Sequence, residues 1–205
     1  MLTKVLARQL LRPAGLLGRM VSQVMEATNK EAYREALGAV ELSAATHLLE
    51  IGYGPGDGLA MVRRRAPACR LSGVDFSPLM HARARARLRA AGGEVELLCG
   101  DFLDAPLPRG AYSHVLCVNV VYFWPQLAPP LGKIAELLAP GGALVLFTRH
   151  EAYLEKKQLL SSGVFHRHGT AAIEAALREA GLSTTQLVSD AGVVFRADKP
   201  AATQR

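Results

Sequence analysis

The spacing of apolar and polar positions changes character near residue 46. Before it, apolar residues recur at helical intervals, broken from Pro13 to Gly18, and the pattern predicts a helix from about Met20 to Val40 with no strand candidate. From Thr46 onward, short β-rich runs alternate with helical stretches, the pattern of βαβ units and a parallel sheet. Strands are predicted at His47–Ile51, Arg70–Val74, Val95–Cys99, His114–Val118, Ala143–Thr148, Thr184–Val188 and Val193–Asp198. Helices are predicted at Gly58–Arg65, Pro78–Ala91, Leu131–Leu138 and Thr170–Ala180, the last stopped by Gly181 in the C-cap manner. A short turn near Ala191 and Gly192 separates the last two strands, so a hairpin closes an otherwise parallel sheet. The expected fold class is a doubly wound α/β sheet.

A chain of 205 residues, half of them apolar, fits one structural unit, expected over 41–205 with a helical extension or lid over 1–40. The longest apolar stretches, such as Gly141 to Phe147, fall far short of the ~20 residues that cross a bilayer. Lys4, Arg8, Arg12 and Arg19 give the first 25 residues a basic character, but Arg8, Arg12 and Pro13 interrupt the apolar run of a secretory leader. A surface or lid helix is the expectation there. Cys69, Cys99 and Cys117 lie in or beside apolar runs without metal or disulfide spacing, and read as reduced core thiols of a cytoplasmic protein.

The net charge of +6 is concentrated. Eight arginines lie between Arg63 and Ala90 against one acid, Asp75. Nucleic-acid binders interleave such charge with aromatic residues or set it along one helix. Here Phe76 is the only aromatic in the stretch, and arginines two apart point to different sides of a helix, so Arg-rich solvated helices are expected rather than an RNA or DNA surface.

The richest motif is Leu48 to Gly58, L-L-E-I-G-Y-G-P-G-D-G, which follows a buried strand and leads into a helix. Gly52, Gly54 and Gly56 let the backbone turn sharply and approach a ligand, while the next helix presents free N–H groups. The spacing is G-x-G-x-G; Asp57 stands where a dinucleotide fingerprint needs its third glycine, so that motif is not matched. The next strand ends at Asp75, 19 residues beyond Gly56, where a carboxylate can accept from both hydroxyls of a ribose. Together these predict an adenosine-containing cofactor.

The runs E-I-G-Y-G-P-G, G-V-D-F-S-P-L-M, G-D-F-L-D-A-P-L-P and L-L-A-P-G-G-A-L-V-L, in that order, resemble the motifs of class I S-adenosylmethionine-dependent methyltransferases, from about Thr46 to Pro200. The resemblance implies a seven-stranded sheet with its last strand antiparallel and S-adenosylmethionine as cofactor. It implies that Glu50, Gly52, Tyr53, Gly54 and Gly56 surround the methionine and ribose, that Asp75 holds the ribose and that Phe76 lies near the adenine. Asp101 and Phe102 are expected at the adenine amino group and ring face, with an Asx turn and plain core packing as their structural alternatives. Asn119 is expected at the cofactor or its loops, and Tyr122 and Trp124 at an acceptor pocket on the carboxyl edge of the sheet.

Upstream, P-A-G-L-L-G-R-M and M-E-A-T-N-K-E-A-Y resemble the helical lid of a bacterial small-molecule subgroup, with Asn29 and Tyr33 on one helix face. The least family-like segment, Arg149 to His168, is expected to set acceptor specificity, with His150, His166 and Tyr122 as candidate catalytic groups and Arg149 and His168 as substrate contacts. No cluster suits a metal. The resulting expectation is methyl transfer by direct displacement to a small, largely apolar metabolite. An RNA methyltransferase and a non-catalytic protein of this fold are the alternatives. Nothing in the chain sets an oligomeric state.

Overall fold

A computed structural model of the chain describes residues 7, 10, 11, 15–92 and 94–202, with residues 16–27 described by their backbone alone. Helix α1 spans Gly15–Gly38 and leads to strand β1 (His47–Ile51). Then follow α2 (Asp57–Arg65), β2 (Arg70–Asp75), α3 (Pro78–Ala91), β3 (Glu96–Cys99) and β4 (Tyr112–Val118). Helix α4 (Ala128–Leu137), β5 (Leu138–Thr148), α5 (Glu151–Lys156), α6 (Thr170–Glu179), β6 (Ser183–Val188) and β7 (Val193–Asp198) complete the chain. All seven expected strands and the principal helices are present, with ends shifted by a few residues.

The seven strands form one sheet in the order β3-β2-β1-β4-β5-β7-β6. Strands β1 to β5 pair in parallel, and β7 runs antiparallel to both β5 and β6. Side chains alternate across it with the period of two that a strand imposes. Val115 and Cys117 of β4 and Leu144 and Leu146 of β5 face one apolar layer, which holds Leu131, Ile134, Ile173 and Leu177 of α4 and α6. Leu116, Val118, Val145 and Phe147 face the other, against Ala36 and Leu37 of α1, Leu59 of α2 and Leu88 of α3. Because β1 is covered on both faces, all five of its residues are buried, including Glu50. Chain order reverses between β1 and β4, so a crevice opens outside their carboxyl ends.

Several local expectations change. The break expected up to Gly18 is absent beyond residue 15: Gly18 lies within α1, a helix long enough to absorb the ~1 kcal/mol propensity cost of a glycine. Strand β5 begins pairing at Leu138, five residues before the expected start, with a register shift opposite Tyr112 and His114. Cys99 is exposed, because β3 is an edge strand with only partial cover; Cys69 and Cys117 are buried, and all three are free thiols. Helix α5 was not anticipated, since its six residues bury only Leu154 and show no helical period. Among the described residues, no helix is long and apolar enough to cross a membrane.

The arginines of 63–90 are partly built into the structure. Arg63 donates to the carbonyls of Cys69 and Glu94, at 3.1 and 2.9 Å. Arg65 donates to Leu37 O at the end of α1, and Arg87 pairs with Asp57.

Gly73 of β2 sits beneath the Tyr53 ring: a Cβ there would stand 2.6 Å from Tyr53 Cδ1 and 3.1 Å from Leu59 Cδ1. Gly132, inside α4, has nothing within 4 Å of the same point. Chemical denaturation is therefore expected to show Gly73→Ala destabilised by about 1–3 kcal/mol through overpacking. Gly132→Ala is expected to be stabilised by about 0.5–1 kcal/mol through helix propensity.

Candidate functional site

Strand β1 delivers the glycine loop to the crevice. Gly52 adopts φ +69°, and its N–H donates to Val74 O at 2.8 Å, joining the loop to β2. A side chain at Gly52 would be strained by that backbone and would meet Val120 Cγ1 at 2.4 Å, so the loop lies against the β4 end only because Cβ is missing. Gly56 serves a different contact: its Cα faces Ala84 of α3, where a Cβ would fall 3.2 Å from the helix backbone.

Asp75, at the carboxyl end of β2, organises this corner. Gly54 N–H donates to its Oδ2 and Ser77 N–H to its Oδ1, both at 2.8 Å. Each oxygen keeps further lone-pair capacity for a ligand. Burial raises the Asp75 pKa, and the two backbone donors pull it back. Ser77 then caps α3 through Met80 N–H, with Pro78 as the first helical residue.

Three contiguous hollows run along the strand ends. A cleft of about 290 Å³ is lined by Gly52, Asp75, Phe76, Asp101, Phe102 and Trp124. A narrower one of about 80 Å³ is bounded by Asn29, Tyr33, Gly54, Asp75 and Asn119. The third, of about 110 Å³, shares Asn29 and Asn119 and is walled by Tyr122, Phe123, Arg149 and Phe165. Asp101 lines the first cleft while its Oδ1 accepts from Leu103 N–H in an Asx turn, the structural alternative foreseen for it. Lys133 Nζ lies 5.2 Å from the Phe102 ring centroid.

A directed chain of hydrogen bonds separates the second and third hollows. Arg149 N–H donates to the Tyr122 hydroxyl at 3.2 Å, that hydroxyl donates to Asn119 Oδ1, and Asn119 Nδ2 donates to Asn29 Oδ1 at 2.9 Å. Asn119 takes φ +58°, which turns its side chain to the strand edge. Burial pushes the Tyr122 pKa up to about 12. Its O–H is directed at Asn119 Oδ1.

The other expected residues fall elsewhere. The Tyr53 ring is in the core rather than the cleft, its hydroxyl 2.8 Å from His81 Nδ1 and 3.1 Å from Leu98 O. Trp124, expected at the acceptor, lines the first cleft. His150 Nε2 donates to Ser189 O at 2.6 Å and His168 Nε2 to Trp124 O at 2.8 Å. His166 donates its backbone N–H to Tyr122 O, and its side chain lines an outer hollow beside Glu155 and Arg167. None of the three histidines lines the third hollow.

Of two ring walls, Phe123 is placed by the sequence at the carboxyl edge of the sheet without a role, and Phe165 is not singled out. Phe123 was legible in part, since it lies between Tyr122 and Trp124. The 3₁₀ turn Val121–Phe123 sends successive side chains about a third of a turn apart, which separates Tyr122 from Trp124 and leaves Phe123 between the hollows. Phe165 stacks on Tyr122 with centroids 5.5 Å apart, a pairing across 43 positions of sequence that no local pattern announces.

Beneath the glycine loop, Glu50 accepts from the Tyr33 hydroxyl at 2.7 Å, fully buried, while its Oε2 has no hydrogen-bond partner among the described residues. Gly58 makes the space: a Cβ there would stand 2.5 Å from both Glu50 Oε1 and the Tyr33 ring. Burial pushes the Glu50 pKa up to about 8, aided by Asp57 and Asp75, against the Tyr33 and Leu59 donors. The bond ties α1 to β1. Arg149 Nη2 to Thr28 O and Ser189 Oγ to Glu35 Oε2 fix the same half of the helix.

Residues 48–142 match a family model described as a methyltransferase domain. Over 111 residues the chain is 37% identical to demethylmenaquinone methyltransferase of Thermus thermophilus, covering 53% of this chain and 50% of that protein. Over 117 residues it is 36% identical to trans-aconitate 2-methyltransferase of Paracidovorax citrulli, covering 55% and 42%. It thus spans about half the length of these relatives. An O-methyltransferase family protein from Burkholderia thailandensis superposes with a TM-score of 0.77 at 22% identity, over 88% of this chain and 59% of that one. Residues 48–142, a little under half of the chain, are thus similar to a methyltransferase domain, and the fold is the one seen in that solved O-methyltransferase family protein.

The Glu50 pKa generates a pH test. A folded-state value raised above the unfolded one gives stability that is full below pH ~4.5 and is lost as pH rises through about 8. Wild-type unfolding free energy should therefore fall between pH 5 and 8 relative to Glu50→Gln, by on the order of a few kcal/mol. Parallel pH profiles for the two proteins would contradict the buried neutral acid.

Proposed function

We propose that this chain transfers the methyl group of S-adenosylmethionine to a small, largely apolar acceptor. The carrying observation is Asp75: a buried carboxylate, preset by two backbone N–H groups, at the junction of two contiguous clefts. These residues fit the cofactor. Asp75 retains acceptor capacity for two ribose hydroxyls, Phe76 and Phe102 flank the cleft for adenine, and Asp101 stands ready for its amino group. Gly52 and Gly54 bring backbone close to the methionine side, which Asn29, Tyr33 and Asn119 enclose, with Glu50 held beneath.

When bound, the cofactor supplies an electrophilic methyl on a sulfonium. The chain's own residues then bind and align. Asn119 and Asn29 stand between the cofactor side and the third hollow, whose rings, Tyr122, Phe123 and Phe165, suit an apolar acceptor body. Catalysis rests on proximity and in-line geometry. The described residues of this N-terminal part act as cover: Tyr33, Asn29 and Thr28 are pinned to the sheet edge, and Leu10 and Leu11 line the clefts. The acceptors named for the relatives, a demethylated menaquinone and trans-aconitate, support a small molecule. The structural bonds of Arg63, Arg65 and Arg87 favour this over an RNA acceptor.

Calorimetry is expected to show S-adenosylmethionine and S-adenosylhomocysteine binding at micromolar levels or tighter, and NAD not binding. Asp75→Ala should weaken S-adenosylhomocysteine about 10–100-fold, the ~1.5–3 kcal/mol of hydrogen bonds to a charged acceptor. No heat with either adenosyl ligand would defeat the proposal.

A further inference from the structure

Among the described residues, Arg149 is the one charged side chain lining the third hollow. Its guanidinium spends two of five N–H groups on protein carbonyls, Nη1 on Ala191 O at 3.1 Å and Nη2 on Thr28 O at 2.5 Å. Its carbon lies 5.4 Å from the ring centroids of both Phe147 and Tyr153, which hold it in place. It is half-buried and, among the described residues, forms no ion pair with a carboxylate. A partly desolvated cation that is fixed in position and has donors to spare is built to receive an anion.

The rest of the lining agrees. The Tyr122 hydroxyl donates its hydrogen bond to Asn119 Oδ1, and burial keeps it protonated. His150 and His168 are engaged with carbonyls, and His166 lies in the outer hollow. An alcohol or protonated amine acceptor needs a base at the reacting atom, whereas an oxygen already ionised at neutral pH needs only a place to sit.

Resting on the methyltransferase reading above, we propose that the acceptor is a small organic acid, its ionised oxygen steered by Arg149 and its apolar body held against Phe123 and Phe165. The ionised oxygen attacks the methyl carbon; a C–O bond forms as the C–S bond breaks, and the electron pair of the broken bond stays on sulfur. The positive sulfonium and negative oxygen vanish together, so no proton is released. A neutral hydroxyl acceptor would release one per turnover.

The test measures binding to the full chain saturated with S-adenosylhomocysteine, by calorimetry, using benzoate, cinnamate and sorbate against benzamide, cinnamyl alcohol and sorbyl alcohol. At least one acid should bind tenfold or more tightly than its neutral counterpart. Arg149→Met should erase that advantage and Arg149→Lys keep part of it, while S-adenosylhomocysteine affinity stays within threefold. For an acid that is turned over with methyl-labelled cofactor, Arg149→Met should raise KM at least tenfold, and the reaction should release no proton in weak buffer above the acid's own pKa. Equal binding of acids and neutral compounds, no binding of any acid, or an acid preference that survives Arg149→Met overturns the proposal. Failure of S-adenosylhomocysteine itself to bind defeats the methyltransferase reading beneath it.

Discussion

The architecture of the cleft turns on a carboxylate that cannot leave the protein. Asp75 ends β2 in a nearly closed environment, and its two oxygens are held by N–H groups from the glycine loop and from the start of α3. Removing water from a carboxylate is costly unless donors replace it. Here the donors come from the two segments that must meet for the site to exist, so the cost of burial and the geometry of the cleft have one solution. Gly52 and Gly56 permit the approach: each leaves out a Cβ where the loop presses against Val120 or against α3.

A second buried acid, Glu50, does for α1 what Asp75 does for the loop. Its bond to Tyr33 crosses from the sheet to the helix through the gap left by Gly58. The helix that covers the cleft is consequently fixed along residues 28–38 by Tyr33, Asn29, Glu35 and the Thr28 carbonyl. Substrate passage would have to involve other cover than this half of the helix. The apolar residues Leu10 and Leu11 also line the hollows.

The sheet and the cofactor side were legible because local rules govern them. Period-two burial, the glycine spacing and an acid at a strand tip all act over a few residues; they located β1 and β2, and the structure places Asp75, Phe76 and Phe102 along one cleft. The acceptor side was read less well because distant segments build it. Trp124 lines the first cleft and not the third hollow because a single 3₁₀ turn divides it from Tyr122, and Phe165 reaches Tyr122 from far along the chain. The histidines of 150–168 were chosen for their titration range, but carbonyls and the outer surface claim them. Tyr53 shows the complementary error: inside a ligand loop, its ring turned inward because Gly73 leaves room for it beneath β2.

The central claim is that Asp75 and the glycine loop form an adenosyl site spanning two of the three hollows. A crystal structure of the chain with S-adenosylhomocysteine tests it most directly. The account predicts both ribose hydroxyls on Asp75, adenine between Phe76 and Phe102, and the thioether sulfur facing the Asn119–Tyr122 edge. Adenosine bound elsewhere, or a ribose that leaves Asp75 without a ligand contact, would contradict it.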